Sequence, residues 1–333
     1  MKSTGIRITT GRVKLADHIP LDQPMSVTLV PSSYCNFSCG FCPASKMRNK
    51  AIMDFSTARS ILGIAGFPKP VKVLHLYNVG EPLLNPDLAV IVRHARKIKF
   101  AERISMVTNA RILHPATSRD LISSGVDRIN ISLYGLNDAD YLENTNRYVD
   151  FGMIYQNIKY LNSIKENCYV FVKVLESVVS TPERQEQFKR LFEGNCSGYA
   201  AEPILPIWPN FNPTGEAVPD RGLYEGVPAK DRLVCHYPFY SMVVNARGFV
   251  NPCLADWDET EELGDAKVTP LKDIWDGWDY QNFRRTQLMG WRPMHPLCKT
   301  CGTLKVATAP EDDLEDDRER LLDKLRMREG VCG

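Results

Sequence analysis

Three cysteines, Cys35, Cys39 and Cys42, stand in the run Cys35-Asn-Phe-Ser-Cys39-Gly-Phe-Cys42-Pro, with three and then two residues between them. They follow an apolar, β-branched segment, Ser26 to Val30. A cubane of four irons and four sulfides takes one thiolate per iron, so three cysteines leave one iron open to a small molecule. An open position is also what separates a catalytic metal site from a structural one. A zinc knuckle is the competing use of such a run. It wants a fourth nearby Cys or His, and the nearest histidine along the chain, His18, lies on the far side of the expected strand.

This spacing resembles the signature of the radical S-adenosylmethionine (SAM) superfamily. The resemblance implies that the amino and carboxylate groups of SAM chelate the open iron of a 4Fe-4S cluster held by the three cysteines. One electron from the cluster then breaks the sulfonium to give a 5'-deoxyadenosyl radical, the cofactor carrying the difficult chemistry. It also implies a set of SAM contacts. Phe41, before the third cysteine, would lie along the adenine. Gly80-Glu81-Pro82 is similar to the family's GGEP motif, with Val79 in place of the first glycine, and its carbonyls would receive the SAM ammonium. Asn109 in Thr108-Asn109-Ala110 and Ser132 in Ile131-Ser132-Leu133-Tyr134-Gly135 match strand-end motifs, Ser132 contacting the methionyl or ribosyl part. Lys173 would pair with the SAM carboxylate.

A second cysteine set lies downstream. Cys235 and Cys253 bracket a segment in which Met242 to Val244 and Phe249 to Val250 flank Asn245-Ala-Arg-Gly248, a hairpin pattern whose glycine supplies a positive φ. Cys298-Lys-Thr-Cys301 closes the segment. Four thiolates fill all four irons of a second cubane, or equally a structural zinc site. The order of Cys, hairpin Gly, Cys, Leu263-Gly264, a helix with Ile274-Trp275 and a terminal CxxC resembles the Twitch subdomain of the SPASM/Twitch branch. Gly302 to Ala309 contain no further cysteine, which favours one auxiliary 4Fe-4S cluster over two. Cys168 reads as a buried small hydrophobe. Cys196 and Cys332 would be surface thiols or, in an epimerase, hydrogen-atom donors.

The elements that must position these residues alternate as βα units. Strands are expected near Ser26 to Val30, Val71 to Tyr77, Arg103 to Thr108, Arg128 to Leu133, Tyr169 to Leu175 and Tyr199 to Leu205. Helices are expected over Ser56 to Ile64, Pro86 to Lys99, Thr117 to Ser124, Asp138 to Asn146, Ile154 to Glu166 and Pro182 to Glu193. The fold class is therefore α/β, a partial (β/α)6 TIM-like barrel with a small C-terminal cluster-binding subdomain, and the triad falls at the carboxyl end of the first strand, where barrels keep their chemistry. The expected divisions are an N-terminal extension (1–25), the barrel (26–207), a Pro-rich loop (208–234), the auxiliary subdomain (235–309) and a charged helix and tail (310–333). Within that last division Leu314, Leu321, Leu322 and Leu325 form one apolar stripe.

The 333 residues are long enough for one large domain and a small one. Basic and acidic residues, 41 and 40, nearly cancel, which argues against nucleic acid and acidic membranes as partners and favours a neutral or zwitterionic small-molecule substrate. There is no signal-peptide pattern and no bilayer-length apolar run, so the cytoplasm is expected, with a flavodoxin- or ferredoxin-type electron donor. Full ligation of the second cluster suits outer-sphere electron transfer, so dehydrogenation of a sugar or aminocyclitol alcohol ranks ahead of epimerisation. Peptide modification ranks lower, because only 25 residues precede the first strand. A non-catalytic zinc module is the remote alternative. Trp208-Pro-Asn-Phe-Asn212 offers an aromatic platform and amides for sugar hydroxyls.

Overall fold

In the computed structural model the described residues are 12–213, 215, 220, 222–224 and 227–328. Cys332 lies outside them. Six parallel strands, β1 (Ser26–Leu29), β2 (Val71–Leu76), β3 (Ala101–Thr108), β4 (Arg128–Leu133), β5 (Tyr169–Leu175) and β6 (Gly198–Glu202), form an open half-barrel. Helices α1 (Phe55–Gly63), α2 (Leu88–Lys97), α3 (Pro115–Ser124), α4 (Asp138–Thr145), α5 (Phe151–Ile164) and α6 (Pro182–Phe192) cover one side. Local chemistry sets their ends. Asp54, Asn137, Asp150 and Thr181 accept from a first-turn backbone N–H of α1, α4, α5 and α6, and Gly125 takes a left-handed conformation after α3. Asp150 starts α5 three residues before the apolar pattern indicates. The sixth strand stops at Glu202, short of the expected Leu205, because Pro203 has no N–H to pair.

Strand alternation divides the side chains. Leu74 and Leu76 of β2, Ile104 and Met106 of β3, Ile129 and Ile131 of β4, and Val170 and Val172 of β5 enter one large core against the helices. The opposite face lines the lumen and carries His75, Ser105, Asn130, Ser132 and Lys173.

The sheet does not end at β1. β7 (Ser241–Val244) pairs with it in parallel, Val27 against Met242 and Leu29 against Val244, and β8 (Phe249–Asn251) and β9 (Gly264–Asp265) follow antiparallel. The strand order is therefore β6-β5-β4-β3-β2-β1-β7-β8-β9. The expected hairpin is present, with Gly248 at φ +87°, and its first strand continues the barrel sheet. The helix around Trp275 is two pieces, α7 (Leu271–Asp276) and α8 (Trp278–Leu288), parted at Gly277, and a short α9 (Thr303–Val306) follows the CxxC turn. Among the described residues the charged C-terminal segment is α-helical over α10 (Arg318–Arg328), after two 3-10 turns at Pro310–Asp312 and Glu315–Asp317. Leu314, Leu321 and Leu325 bury their stripe against Leu15, Ile19 and Phe239, which ties the N-terminal segment to the auxiliary region.

Candidate functional site

The loop after β1 carries the triad, and the ends of three other strands brace it. Glu81 is the central brace. Its N–H donates to the Tyr34 carbonyl (2.7 Å), and its buried carboxylate accepts from Thr108 Oγ1 (2.7 Å), the Asn109 N–H (2.7 Å) and the Leu83 N–H (3.0 Å). One residue, through its backbone and its carboxylate, thus joins the exits of β1, β2 and β3. Burial pushes this carboxyl up to about 7, against the opposing effect of its donors. Gly80 has φ +128°, and a Cβ there would stand 2.2 Å from the Ser32 carbonyl oxygen, so only glycine fits. Asn109 donates its side-chain amide to Asn36 Oδ1 (2.7 Å) and lies 3.8 Å from Cys35 Sγ, which also receives the Phe37 N–H (3.4 Å).

Burial pushes the Cys35 thiol up to about 11 and those of Cys39 and Cys42 upward as well, and Cys35 and Cys39 are raised further by neighbouring cysteines of the triad. Buried thiols that disfavour one another's ionisation call for a strongly cationic centre to hold them as thiolates. The donor set therefore fits an iron-sulfur cluster. Phe41 packs 5.9 Å from Tyr134, and Phe37 lies edge-on to the same ring at 5.5 Å. Tyr134 is half-buried against the main core beside the triad. The sequence placed it one strand-end position past Leu133 but assigned it no role, because an aromatic there looks like ordinary packing.

The other expected contacts divide. Ser132 faces the lumen beside Lys173, its register partner. Lys173 is paired with Glu202 of β6 at 2.9 Å, so a carboxylate from its own sheet already meets its charge. Cys196 lies at the amino end of β6, the far end of the strands from the triad. Its thiol donates to the carbonyls of Phe192 and Gly198 (3.2 and 3.3 Å), and burial pushes it up to about 11. Cys168 is buried in the main core as expected.

The second thiol set is gathered from three turns. Burial raises Cys235 and Cys253 strongly and Cys298 to about 12, and each is raised further by other cysteines of the set. Gln287 lies 3.9 Å from Cys298 Sγ, and Arg292 donates to the Cys301 carbonyl (2.7 Å). A buried network holds the Cys253 loop: Asn245 donates to Asn251, Asn251 to Asp256 (2.9 and 2.8 Å), and Asp256 accepts from Thr260 and Glu261. Among the described residues no three His, Cys, Asp or Glu side chains converge on a single metal ion. The ligands of a cubane each meet a different iron.

The Pro-rich segment roofs the triad. Trp208 and Trp257 pack with Cys35 and Cys42 against Ala44, Met47 and Val79. Phe41, Leu205, Trp208, Phe211 and Asn212 line a small cleft there. Asn210 accepts from and donates to Thr300, inside the CxxC turn, so the roof of the first site is anchored to the second.

A half-barrel with an incompletely ligating thiol set at the exit of its first strand, and a fully ligating set on the same sheet, is the framework of a redox enzyme with a reactive cluster and an auxiliary one. Comparison with known proteins gives the family. A model described as the radical SAM superfamily matches residues 29–189, and one described as an iron-sulfur cluster-binding domain, SPASM, matches residues 235–302. The chain belongs to the radical SAM superfamily, in its SPASM/Twitch branch, and its cofactors are 4Fe-4S clusters and SAM.

Among curated proteins it is similar to GTP 3',8-cyclase of Staphylococcus aureus, 27% identical over 151 residues (43% of this chain, 44% of the relative). GTP 3',8-cyclase of Aquifex aeolicus is 29% identical over 147 residues (41% and 44%). The chain thus spans less than half the length of these relatives. Among solved structures it is similar to BtrN in complex with AdoMet and 2-DOIA (TM-score 0.56, 19% identity, 87% of this chain and 97% of that one). Streptococcus suis SuiB bound to the precursor peptide SuiA matches with TM-score 0.62 at 17% identity, over 88% and 73%. The protein anSMEcpe with bound AdoMet matches with TM-score 0.60 at 13% identity, over 91% and 97%. At these identities the likeness is one of fold. No helix among the described residues is long and apolar enough to cross a membrane.

Proposed function

We propose that this protein cleaves SAM reductively, takes a hydrogen atom from a small-molecule alcohol, a sugar or aminocyclitol, and oxidises it to the carbonyl. Support comes chiefly from the second thiol set. Four cysteines, the buried Cys298 and the half-buried Cys235, Cys253 and Cys301, suffice to ligate every iron of one auxiliary cluster and so suit it to accept an electron rather than to bind substrate. The fold shared with BtrN, whose complex holds AdoMet and 2-DOIA, agrees with a small-molecule substrate.

When bound, the first cluster and SAM together supply the 5'-deoxyadenosyl radical. The chain's own residues bind, orient and dry the site. Cys35, Cys39 and Cys42 hold the cluster, and the Phe37 N–H and Asn109 amide stabilise negative charge on Cys35 sulfur. The Gly80-Glu81 backbone, Phe41, Asn109 and Ser132 cradle SAM; Lys173 joins them only by giving up Glu202. Trp208 and Phe211 exclude water from the cleft above. Cys196 does not serve an epimerase from its place at the opposite end of β6. A flavodoxin- or ferredoxin-type protein supplies the electron, in the cytoplasm.

Anaerobic purification tests this. Protein with about eight irons, which makes 5'-deoxyadenosine from SAM and dithionite and yields a carbonyl product free of solvent deuterium at the reacting carbon, meets the proposal. A colourless zinc protein that makes no 5'-deoxyadenosine ends it, and deuterium incorporated with retention of the alcohol turns it into an epimerase.

A further inference from the structure

The chain is almost neutral overall, yet the lumen of the half-barrel is not. Arg103 on β3, Arg128 on β4 and Lys173 on β5 lie on the lumen face of their strands, as the registers Val73 to Arg103, Ser105 to Arg128 and Ser132 to Lys173 require. Among the lumen-facing residues of β2 to β6, Glu202 is the one carboxylate, and Lys173 already meets it. Arg128 is half-buried and lies over two neighbouring rings, its guanidinium carbon 4.7 Å from the centre of Tyr169 and 5.3 Å from that of Phe171, which are themselves 6.4 Å apart and near parallel. Its Nε donates to Asn130 Oδ1 (2.8 Å). Among the described residues its terminal nitrogens have no hydrogen bond or ion pair, and neither does the Arg103 side chain. Burial lowers the pKa of Arg128, and the nearby Arg103 guanidinium adds to that effect.

A third group faces the same place. His75, level with Ser105 and Arg128 across the sheet, has a buried Nδ1 with no partner. Burial, and then Arg103, hold its pKa down to about 4, so it is neutral and able to donate or accept a hydrogen bond. Two neighbouring guanidinium groups, Arg103 exposed and Arg128 half-buried, with no carboxylate to meet them leave charge-assisted donors for an anion. The Tyr169 and Phe171 rings and the bond to Asn130 hold Arg128 in place, and a planar fork with free terminal nitrogens suits two oxygens of one oxyanion.

We propose that Arg103, Arg128 and His75 form an anion subsite that binds a phosphate or carboxylate group of the substrate, at the end of the molecule remote from the reacting carbon. The subsite deepens the reading above and rests on it: the alcohol to be oxidised belongs to a phosphorylated or acidic polyol longer than one sugar ring, such as a nucleotide sugar or a glycoside that carries a phosphate or uronate at its far end. The strand direction gives the distance. From Arg128 at the start of β4 to Leu133 at its end is roughly 17 Å at about 3.3 Å per residue, so a molecule longer than one pyranose ring spans from the subsite to the triad. Near-zero net charge, which favours a neutral substrate when averaged over the chain, conceals this local excess.

Titration calorimetry on the anaerobic, SAM-loaded holoenzyme tests the subsite with four probes: glucose 6-phosphate, glucuronate, inorganic pyrophosphate and glucose. At least one of the three anions is expected to bind about tenfold or more tighter than glucose, and to weaken as salt rises from about 0.05 to about 0.5 M. Glucose 6-phosphate against glucuronate separates phosphate from carboxylate as the group preferred. Arg103→Gln and Arg128→Gln should each lose about tenfold, and Arg128→Lys less. Arg103 is exposed, so its replacement leaves folding intact even where loss of the Arg128 ring contacts does not. Iron content and melting temperature report on both, and Lys72→Ala, on the other face of β2 and paired with Glu102, serves as the control.

Anions that bind no better than glucose, or that bind both glutamine variants as they bind wild type, overturn the proposal. The parent reading fails separately: 5'-deoxyadenosine assayed in the same preparation can be absent while the titration still reports on the anion.

Discussion

The two cysteine sets differ in what holds them. Cys35, Cys39 and Cys42 share one loop, and the loop is braced from outside by β2 and β3 through Glu81 and Asn109, which come from distant parts of the chain. Cys235, Cys253, Cys298 and Cys301 come from three separate turns, and much of their bracing is nearby in sequence, as in Asn245, Asn251 and Asp256. A short loop delivers three ligands at low entropic cost but cannot supply the fourth, and the strand ends around it provide the groups a small molecule in that position would meet. Scattered turns cost more to order, and in return bring four thiols to one place. Incomplete ligation thus goes with the open end of a barrel, and complete ligation with a compact cap.

The largest test of this contrast removes a cysteine from each set. Cys39→Ala should lower 5'-deoxyadenosine formation at least about a thousandfold, since a cluster lost from the first site leaves nothing to bind or reduce SAM. Cys253→Ala should leave SAM cleavage measurable while product formation stops. Equal loss of 5'-deoxyadenosine in both would mean that the sets act as one structural unit and that their division of labour is wrong.

The brace is next. Glu81→Ala strands the Asn109 and Leu83 N–H groups and the Thr108 hydroxyl, and should cost about 3 kcal/mol with at least a tenfold loss in SAM affinity. Chemical denaturation and equilibrium binding check the two parts. Glu81→Gln keeps one acceptor oxygen and should fall between. On the other side, Asn251→Ala breaks a network local to the Cys253 loop and should cost about 2 kcal/mol, read as faster iron release from the second set with SAM affinity unchanged. A fall in SAM affinity there would show the brace to be shared.

What the sequence made legible follows the same division. Ligands on one loop or in a CxxC turn announce themselves by spacing, and βα alternation located all six barrel strands and their helices with shifts of a few residues. The parallel pairing of β7 with β1 was hidden, because strands more than two hundred residues apart leave no local sign of partnership. Glu81 was read for its backbone, whereas its carboxylate, reaching 28 residues along the chain to Asn109, carries the bracing. Lys173 was matched to SAM by position, and Glu202, on the neighbouring strand, became visible as its partner only once β5 and β6 were in register. Arg103 and Arg128 stand near the starts of β3 and β4, where nothing local in the sequence joins them. Their common face depends on register, which a run of alternating residues does not set by itself.

The smallest expected effect comes from an ionisable group outside both thiol sets. His75 is half-buried on β2, its Nδ1 out of reach of solvent, with its pKa pushed to about 4, below the usual imidazole range, first by burial and then by Arg103. As pH falls through 6.5 the unfolded chain takes up a proton that the native imidazole refuses until about pH 4, so stability present above 6.5 drains away within that window. The slope approaches about 1.4 kcal/mol per pH unit. Melting temperatures between about pH 7 and about pH 5.5 should therefore fall less for His75→Asn than for wild type. Since His75 braces neither thiol set, the same difference should appear in a Cys253→Ala background. If His75→Asn follows the wild-type slope, the imidazole is already charged or solvated in the native lumen, and the arginines beside it face water instead of a poorly hydrated anion subsite.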